Sequence, residues 1–224
     1  MAVRTLRAAR EDTEVLRKAH ARDRILRVVM KQLESRGHDA LALRDVARRA
    51  RVSLATIYKL FPMRDALIVA AVGRWMEENC YSNLKDPPAD ASLFEGQMWF
   101  FRRLFEPWER CPRMLEAYHR ATSGPGGEKL GIQGFALVDS VGRSLLDDLD
   151  PDYAKDFRLI MANMVCGVIQ RCAAGEIPAA EILPVIERTL FRLTTDNEAA
   201  LAARGARRLG RKGGRVSADR RRAR

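Results

Sequence analysis

Apolar side chains recur every three or four residues along most of the chain, which is the spacing of amphipathic α-helices. From about His20 to Ser35 this spacing predicts a first helix, and Gly37 predicts where it ends. No stretch alternates apolar and polar residues between turn dipeptides, as an exposed strand would. The pattern therefore predicts an all-α protein.

Turn residues divide the remaining pattern into further helices. Two short helices are expected at Leu43–Ala50 and Leu54–Leu60, and a longer one from Arg64 to about Leu84. The prolines in the segment Lys85–Asp90 predict a linker, because proline cannot continue a helix. About nine helices are expected in all, the later ones at residues 93–108, 112–121, 128–148, 151–173 and 179–203.

The net charge of +11 is unevenly distributed along the chain. Residues 1–64 carry 16 Lys and Arg against 7 Asp and Glu, and residues 203–224 carry 10 against 1. Residues 65–202, with 14 against 21, are acidic. Basic ends around an acidic middle indicate that a polyanion such as nucleic acid is bound away from another task, although solubility alone also favours a charged surface.

Several classes of protein are disfavoured by composition. The four cysteines form no close pair and none of the three histidines lies near one in sequence, so no metal site and no cofactor are predicted. No apolar run reaches the length of a membrane span, and the first residues do not resemble a secretory signal. No catalytic cluster of Ser, His and acidic residues is evident. We therefore expect a cytoplasmic protein that is not an enzyme.

The two short helices form the most informative motif. Val46, Ala47 and Ala50 are spaced to bury one face of the first helix, and Ser53 is a suitable N-cap for the second. A helix presented in this way can read the major groove of double-stranded DNA, although an ordinary hairpin with a solvated face has the same pattern. The residues predicted to contact DNA are Arg44, Arg51, Ser53, Leu54, Ala55, Thr56, Tyr58, Lys59 and Arg64.

From Ile25 through Leu67 the chain resembles the DNA-binding domain of the TetR family of regulators. The most specific part of the match is Tyr58-Lys59-Leu60-Phe61-Pro62, which directly follows the hairpin. The resemblance implies that Tyr58 and Lys59 hold phosphates and that Arg64 anchors the fourth helix to the DNA backbone. Two positions depart from the family pattern: Arg51 stands where glycine is usual in the tight turn, and Ala42 where a Ser or Thr cap is usual.

The middle of the chain contains two helices, residues 93–108 and 157–169, that are apolar almost all round. Such residues either fill a core or line an apolar pocket, and the family resemblance favours a pocket for a small hydrophobic effector. The segment Pro107–Tyr118 is most similar to KstR-type regulators of steroid catabolism, which implies a steroid, a fatty acyl-CoA or a related compound. The predicted lining is Met98, Phe101, Phe105, Met114, Tyr118, Met161, Asn163 and Met164, with Asn163 and Gln170 as orienting polar groups unless they face water or an interface.

A homodimer is expected from the last two helices. Val185, Ile186, Leu190 and Leu193 form an apolar stripe that either pairs with a second subunit or packs within the monomer. Two reading helices predict a pseudo-palindromic operator. An effector that shifts the fourth helix would then release the DNA.

The sequence thus predicts four parts. A basic arm (1–19) precedes a helix-turn-helix domain (20–63) and a helical effector-binding and dimerisation domain (64–203). A disordered, Arg-rich tail (204–224) follows, which either binds DNA nonspecifically or only aids solubility. The predicted function is ligand-responsive repression. An activator of the same fold, or a DNA-binding architectural protein without an effector, is the alternative.

Overall fold

A computed structural model describes residues 2–82, 84 and 90–195 of the chain. It confirms the all-α prediction, since the described residues form helices joined by turns and contain no strand. The nine α-helices are α1 Ala2–Arg36, α2 Leu43–Ala50, α3 Leu54–Leu60, α4 Arg64–Met76, α5 Leu93–Arg110, α6 Pro112–Thr122, α7 Glu128–Ser144, α8 Pro151–Ala173 and α9 Ile182–Thr195.

Helix α1 is much longer than the apolar pattern predicts. It begins at Ala2 and not near His20, so the predicted arm is the N-terminal half of this helix. Residues 1–36 contain neither Gly nor Pro, and ion pairs one turn apart, Glu14–Lys18 at 2.7 Å and Asp23–Arg27, support the helix locally. The prediction was wrong because a solvated helix needs no apolar face: every side chain from Asp12 to His20 is exposed.

Two compact units make up the chain. The first comprises Met1–Ser82 and Arg110–Ala136, and its core is built where α1, α4 and α6 pack together. Fully buried side chains come from all three helices, including Ile25, Leu67 and Met114. This core fixes α1 and α4, which flank the two short helices in sequence.

Helix α4 ends at Met76, earlier than the predicted Leu84. The segment Glu77–Tyr81 that follows is a π-helical turn, in which the amide of Ser82 donates to the carbonyl of Glu77 at 3.0 Å. The end of α4 is also joined to α1 by polar contacts: the indole Nε1 of Trp75 donates to Glu34 at 2.8 Å, and Arg74 pairs with Asp23.

The second unit comprises Asn83–Glu109 and Leu137–Arg224. In it α9 packs against α8, and the hydroxyl of Tyr153 on α8 donates to the carbonyl of Leu193 at 2.8 Å. A short 3₁₀ turn, Ala179–Glu181, precedes α9, which therefore begins three residues later than predicted. The last part of the predicted range, 196–203, lies outside the described residues. The predicted Arg-rich tail, 204–224, lies outside the described residues.

The predicted dimerisation stripe on α9 must be corrected. Ile186 and Leu190 are fully buried within the single chain, so they are core residues of the second unit and cannot contact a partner subunit. Val185 and Leu193 are only partly buried. The spacing of the stripe was read correctly, but the same spacing serves an internal core as well as an interface.

Two further observations concern the described residues alone. None of the described helices has the length and apolar character needed to cross a bilayer. Within the same part of the chain, His, Cys, Asp and Glu side chains form no group of three or more that could hold a metal ion.

Candidate DNA-binding site

Helices α2 and α3 form a tight helical hairpin with the bounds that the sequence predicts. Val46, Ala47 and Ala50 are the buried residues of α2, and Ile57 is the buried residue of α3. Ala47 has only a methyl group at this crossing, which lets the two helices approach closely. The amide of Val52 donates to the carbonyl of Ala47 at 3.0 Å and closes the turn between them.

Arg51 occupies the turn in a left-handed conformation, with φ 54° and ψ 49°. It is the single non-glycine residue with positive φ in the described part of the chain. This conformation costs an L-residue about 1–2 kcal/mol, so the strain expected from the missing glycine is present in the structure. The side chain of Arg51 is exposed, as the predicted phosphate contact requires.

Ser53 caps the N-terminus of α3. Its Oγ accepts a hydrogen bond from the amide of Thr56 at 3.0 Å and lies 2.8 Å from the hydroxyl of Thr56. The Thr56 hydroxyl is therefore part of the cap, and its methyl group is the freer half for reading a base. A fixed cap of this kind makes the first turn of a seven-residue helix rigid despite its length.

The outward face of α3 is polar and accessible. Tyr58 is 53% exposed, and Lys59 and Ala55 are also exposed, whereas Leu54 and Thr56 are partly buried. Hydroxyl and ammonium groups at the end of the helix can reach phosphates, while the small side chains at its start can approach base edges. The exposure of these side chains is compatible with the predicted contacts, which stay a prediction.

Arg44 and Arg64 have different surroundings. Arg44 is exposed near the start of α2, where the N-cap residue Ala42 makes no side-chain hydrogen bond. Arg64 is partly buried, and its Nη2 donates to the carbonyl of His38 at 2.7 Å. Arg64 thus holds the start of α4 to the turn after α1, so its predicted contact with DNA must share the guanidinium with this internal bond.

The residues predicted to line an effector pocket are divided between the two units. Met98, Phe101, Phe105 and Met161 are buried in the second unit, where Met164 is partly buried. Asn163 and Gln170 are exposed, and the Nδ2 of Asn163 donates to the carbonyl of Leu159 on its own helix, so their predicted orienting role inside the chain must be corrected. Met114 is buried and Tyr118 partly buried in the first unit.

Two clefts in the first unit were not anticipated from the sequence. The larger, about 880 Å³, lies beside α1, α4 and the turn before α7, and none of the residues predicted to bind an effector lines it. The smaller, about 720 Å³, separates the segment of α1 from Thr13 to Arg24 from α3. The sequence does contain a signal for the smaller cleft. Arg17 and Arg24 are seven residues apart, so they lie on one face of the helix.

The chain matches two family models. Residues 25–71 match the model described as bacterial regulatory proteins, tetR family, and residues 92–193 match that of the tetracyclin repressor-like C-terminal domain. Two solved structures share the fold. A TetR transcriptional regulator from Rhodococcus sp. RHA1 has a TM-score of 0.58 and 19% sequence identity, and the match covers 80% of this chain and 98% of that one. A TetR-family regulator from Mesorhizobium loti has a TM-score of 0.56 and 15% sequence identity, and the match covers 79% of this chain and 96% of that one.

Curated relatives agree with these models. The chain is 33% identical over 169 residues to the HTH-type transcriptional repressor KstR of Rhodococcus jostii, a match that covers 70% of this chain and 76% of that protein. It is 31% identical over 142 residues to the repressor of the same name from Mycobacterium tuberculosis, where the match covers 63% of this chain and 59%, less than two thirds, of the relative. The chain therefore belongs to the TetR family of DNA-binding transcription regulators, which are not enzymes.

Proposed function

We propose that the protein is a homodimeric repressor that binds a pseudo-palindromic operator through α3 and releases it when a small apolar molecule binds. The observation that carries this proposal is the face of α3, where a Ser53 cap presents exposed Tyr58 and Lys59 beside small side chains. The ammonium group of Lys59 and the hydroxyl of Tyr58 can bind the polyanionic backbone, and the capped first turn positions the side chains that read bases.

The dimer surface that we propose is on α8. Leu159 and Ile160 are 62% and 45% exposed, an unfavourable position for large apolar side chains unless another surface covers them. Asn163, Cys166 and Gln170 are also exposed and continue from Leu159 at helical spacing, so α8 presents a long accessible stripe. Phe191 on α9, 57% exposed, adds to the apolar surface of the same unit. A two-fold pairing through this stripe gives the assembly two copies of α3, which is the number that an operator with two half-sites requires.

The effector is proposed to bind in the second unit. Its buried residues include Met98, Phe101, Phe105 and Met161, and flexible thioethers and aromatic rings can adapt to an apolar guest. The similarity to two repressors named KstR, together with the family branch that the sequence resembles, favours a steroid or a fatty acyl-CoA. We expect such a ligand to act on operator affinity through α4, which begins directly after the reading helix.

The test is a selection of duplexes from a random pool by the purified full-length protein. We expect one sequence with two similar half-sites about 10 base pairs or a multiple of it apart. Tyr58→Ala with Lys59→Ala should weaken binding to that duplex about 10- to 100-fold, because the dimer loses four phosphate contacts that are each worth roughly 0.5 kcal/mol. Cholesterol-derived steroids and long-chain acyl-CoA are then added to the complex, and the effector should lower its affinity.

A matched control is Lys31→Ala, which removes an exposed basic residue of α1 roughly 20 Å along the helix from Arg17. It should leave operator affinity within about twofold of the parent. Enrichment of no sequence over the random pool would contradict the operator proposal. Equal operator affinity with and without every probe would leave an architectural protein as the better account.

A further inference from the structure

We infer that the segment of α1 from Thr13 to Arg24 is a second DNA-binding element, which holds the sugar-phosphate backbone in the cleft between α1 and α3. The inference rests on the proposed entry of α3 into the major groove and adds a contact that neither the family match nor the sequence prediction assigns. The matched region begins at residue 25, whereas the α1 side of this cleft runs from Thr13 to Arg24.

The cleft is formed by a built surface and not by a single helix end. Its α1 wall faces Thr56, Lys59 and Leu60 of α3, and its volume is about 720 Å³. Thr56 and Lys59 are residues of the predicted reading helix, so whatever enters the cleft lies directly beside that helix. When a helix occupies the major groove, the flanking strand is the part of the duplex in that position.

The charges of the cleft match a phosphodiester chain. Among the described residues that line it, Arg17, Lys18, Arg24 and Lys59 are basic and Glu14 alone is acidic. These basic residues are exposed, and Arg24 is oriented by a hydrogen bond from its Nε to the carbonyl of Ala50 at 3.2 Å. Several cations held on two rigid helices release counterions from DNA, which gives a salt-dependent gain in affinity.

The carboxylate of Glu14 offsets part of the positive charge of the cleft. Its Oε1 accepts an ion pair from the Nζ of Lys18 at 2.7 Å, and the hydrogen bond from Lys18 followed by the positive charges of Lys18 and Lys59 holds the pKa of Glu14 below its usual value. The carboxylate is therefore ionised at neutral pH and neutralises part of the cleft. A phosphate that enters must compete with Glu14 for Lys18.

The opposite account is that the extension of α1 binds a second protein. Val15 and Leu16 are 64% and 59% exposed and do not line the cleft, so they would be the contacts in that case. The charge of the cleft favours DNA, because the cleft is basic and adjoins the reading helix. The apolar surface of Val15 and Leu16 consists of only two side chains, which is little for a protein interface. DNA is therefore the occupant that the geometry favours.

The experiment measures the dependence of affinity on salt for Arg17→Ala and Glu14→Gln in the full-length protein. The probes are the duplex enriched in the selection and, in parallel, a random-sequence duplex of about 30 base pairs. Arg17→Ala removes one phosphate contact from each subunit of the dimer, so it should reduce the slope of log affinity against log salt by about 1.8. Its affinity should then fall about 12-fold less than the parent's between 50 and 200 mM salt. Glu14→Gln should raise affinity two- to fivefold at low salt.

Three controls keep the result interpretable. Lys31→Ala and the pair Val15→Ser with Leu16→Ser should both keep the parent slope, and circular dichroism should show unchanged thermal unfolding for all variants, since the substituted side chains are exposed. A parent slope for Arg17→Ala, or a changed slope for the Val15 and Leu16 pair, would overturn the inference. A reduced slope for Arg17→Ala on random duplex without any selected sequence would support the inference and contradict the operator proposal.

Discussion

Helices α3 and α8 expose opposite kinds of surface. Helix α3 has seven residues, of which Ile57 is buried. Its exposed side chains include Tyr58 and Lys59. In α8, a helix of 23 residues, Phe157 and Met161 are buried while Leu159 and Ile160 remain exposed. The polar face of α3 is stable in water without a partner. The apolar face of α8 gains free energy when it is covered.

This difference indicates how the two helices depend on partners. About 25 cal/mol is gained for each Å² of apolar surface removed from water, so Leu159 and Ile160 together favour association by roughly 2–4 kcal/mol when both are covered. By contrast, α3 gains from charge and hydrogen bonds that only a polyanion supplies. A subunit partner on α8 and DNA on α3 are therefore separable, and substitutions can remove one while sparing the other.

The largest expected effect is on the α8 surface. Leu159→Glu combined with Ile160→Glu should convert the dimer to a monomer, because four like charges would face one another across the two-fold axis. Operator affinity should fall by about 100-fold or more, since each half-site is then bound separately. Sedimentation equilibrium measures the mass, and a titration of the selected duplex measures the affinity.

Leu16→Glu is the control for this prediction, because it places the same charge on another exposed leucine, in the first unit. It should leave the oligomeric state unchanged. Alkylation gives an independent reading: Cys166 on the α8 stripe should react faster in the double variant than in the parent, while Cys80, whose pKa burial raises to about 12, should react slowly in both. A dimeric double variant would contradict the assignment of the interface to α8.

A smaller effect is expected at the cap of α3. Ser53→Ala removes the acceptor for the amide of Thr56 and should destabilise the protein by about 1 kcal/mol, or about 2–4 °C in Tm. The free energy of operator binding should fall by more than the free energy of unfolding, because the first turn of α3 loses its fixed geometry. Ser144→Ala, which removes only a bond to Val141 within α7, should change Tm by less than about 1 °C. An equal decrease in Tm and in operator affinity for Ser53→Ala and Ser144→Ala would argue against a special role of the cap.

The smallest effect is a gain in stability at the turn. Arg51→Gly relieves the left-handed strain and should stabilise the protein by about 0.5–1 kcal/mol after the entropy cost of glycine. Arg49→Gly, in the ordinary helical conformation two residues earlier, should instead destabilise it by about 0.5–1 kcal/mol. Urea denaturation measures both. If Arg51 also holds a phosphate, Arg51→Gly should weaken DNA binding while it raises stability.

The helix-turn-helix could be predicted from the sequence because its signals are local. Leu43–Ala50 and Leu54–Leu60 have the predicted bounds, and the strain at Arg51 follows from one missing glycine. Caps, a small residue at the helix crossing and a turn each act within a few residues, so no knowledge of distant contacts is needed.

Features that depend on distant contacts could not be predicted in the same way. The stripe containing Ile186 and Leu190 has the spacing of an interface, yet both side chains are buried in their own unit. Residues 12–20 of α1 are exposed and need no apolar face, so periodicity gave no signal for this part of the helix. Whether Met98 and Met161 pack a core or surround a ligand depends on volume and not on residue type, and their role in effector binding stays a prediction.

The π-helical turn at Glu77–Tyr81 has a consequence for protein engineering. A bond that spans five residues accommodates one residue more per turn than the α-helical ladder, as the contact between the Ser82 amide and the Glu77 carbonyl shows. Because the π-turn already absorbs this extra residue, removal of one residue from the segment should restore the α-helical ladder without turning the face of the helix. A single-residue deletion within Glu77–Tyr81 should therefore be tolerated better than one inside α4, where the same deletion would turn part of the buried face of the helix toward solvent.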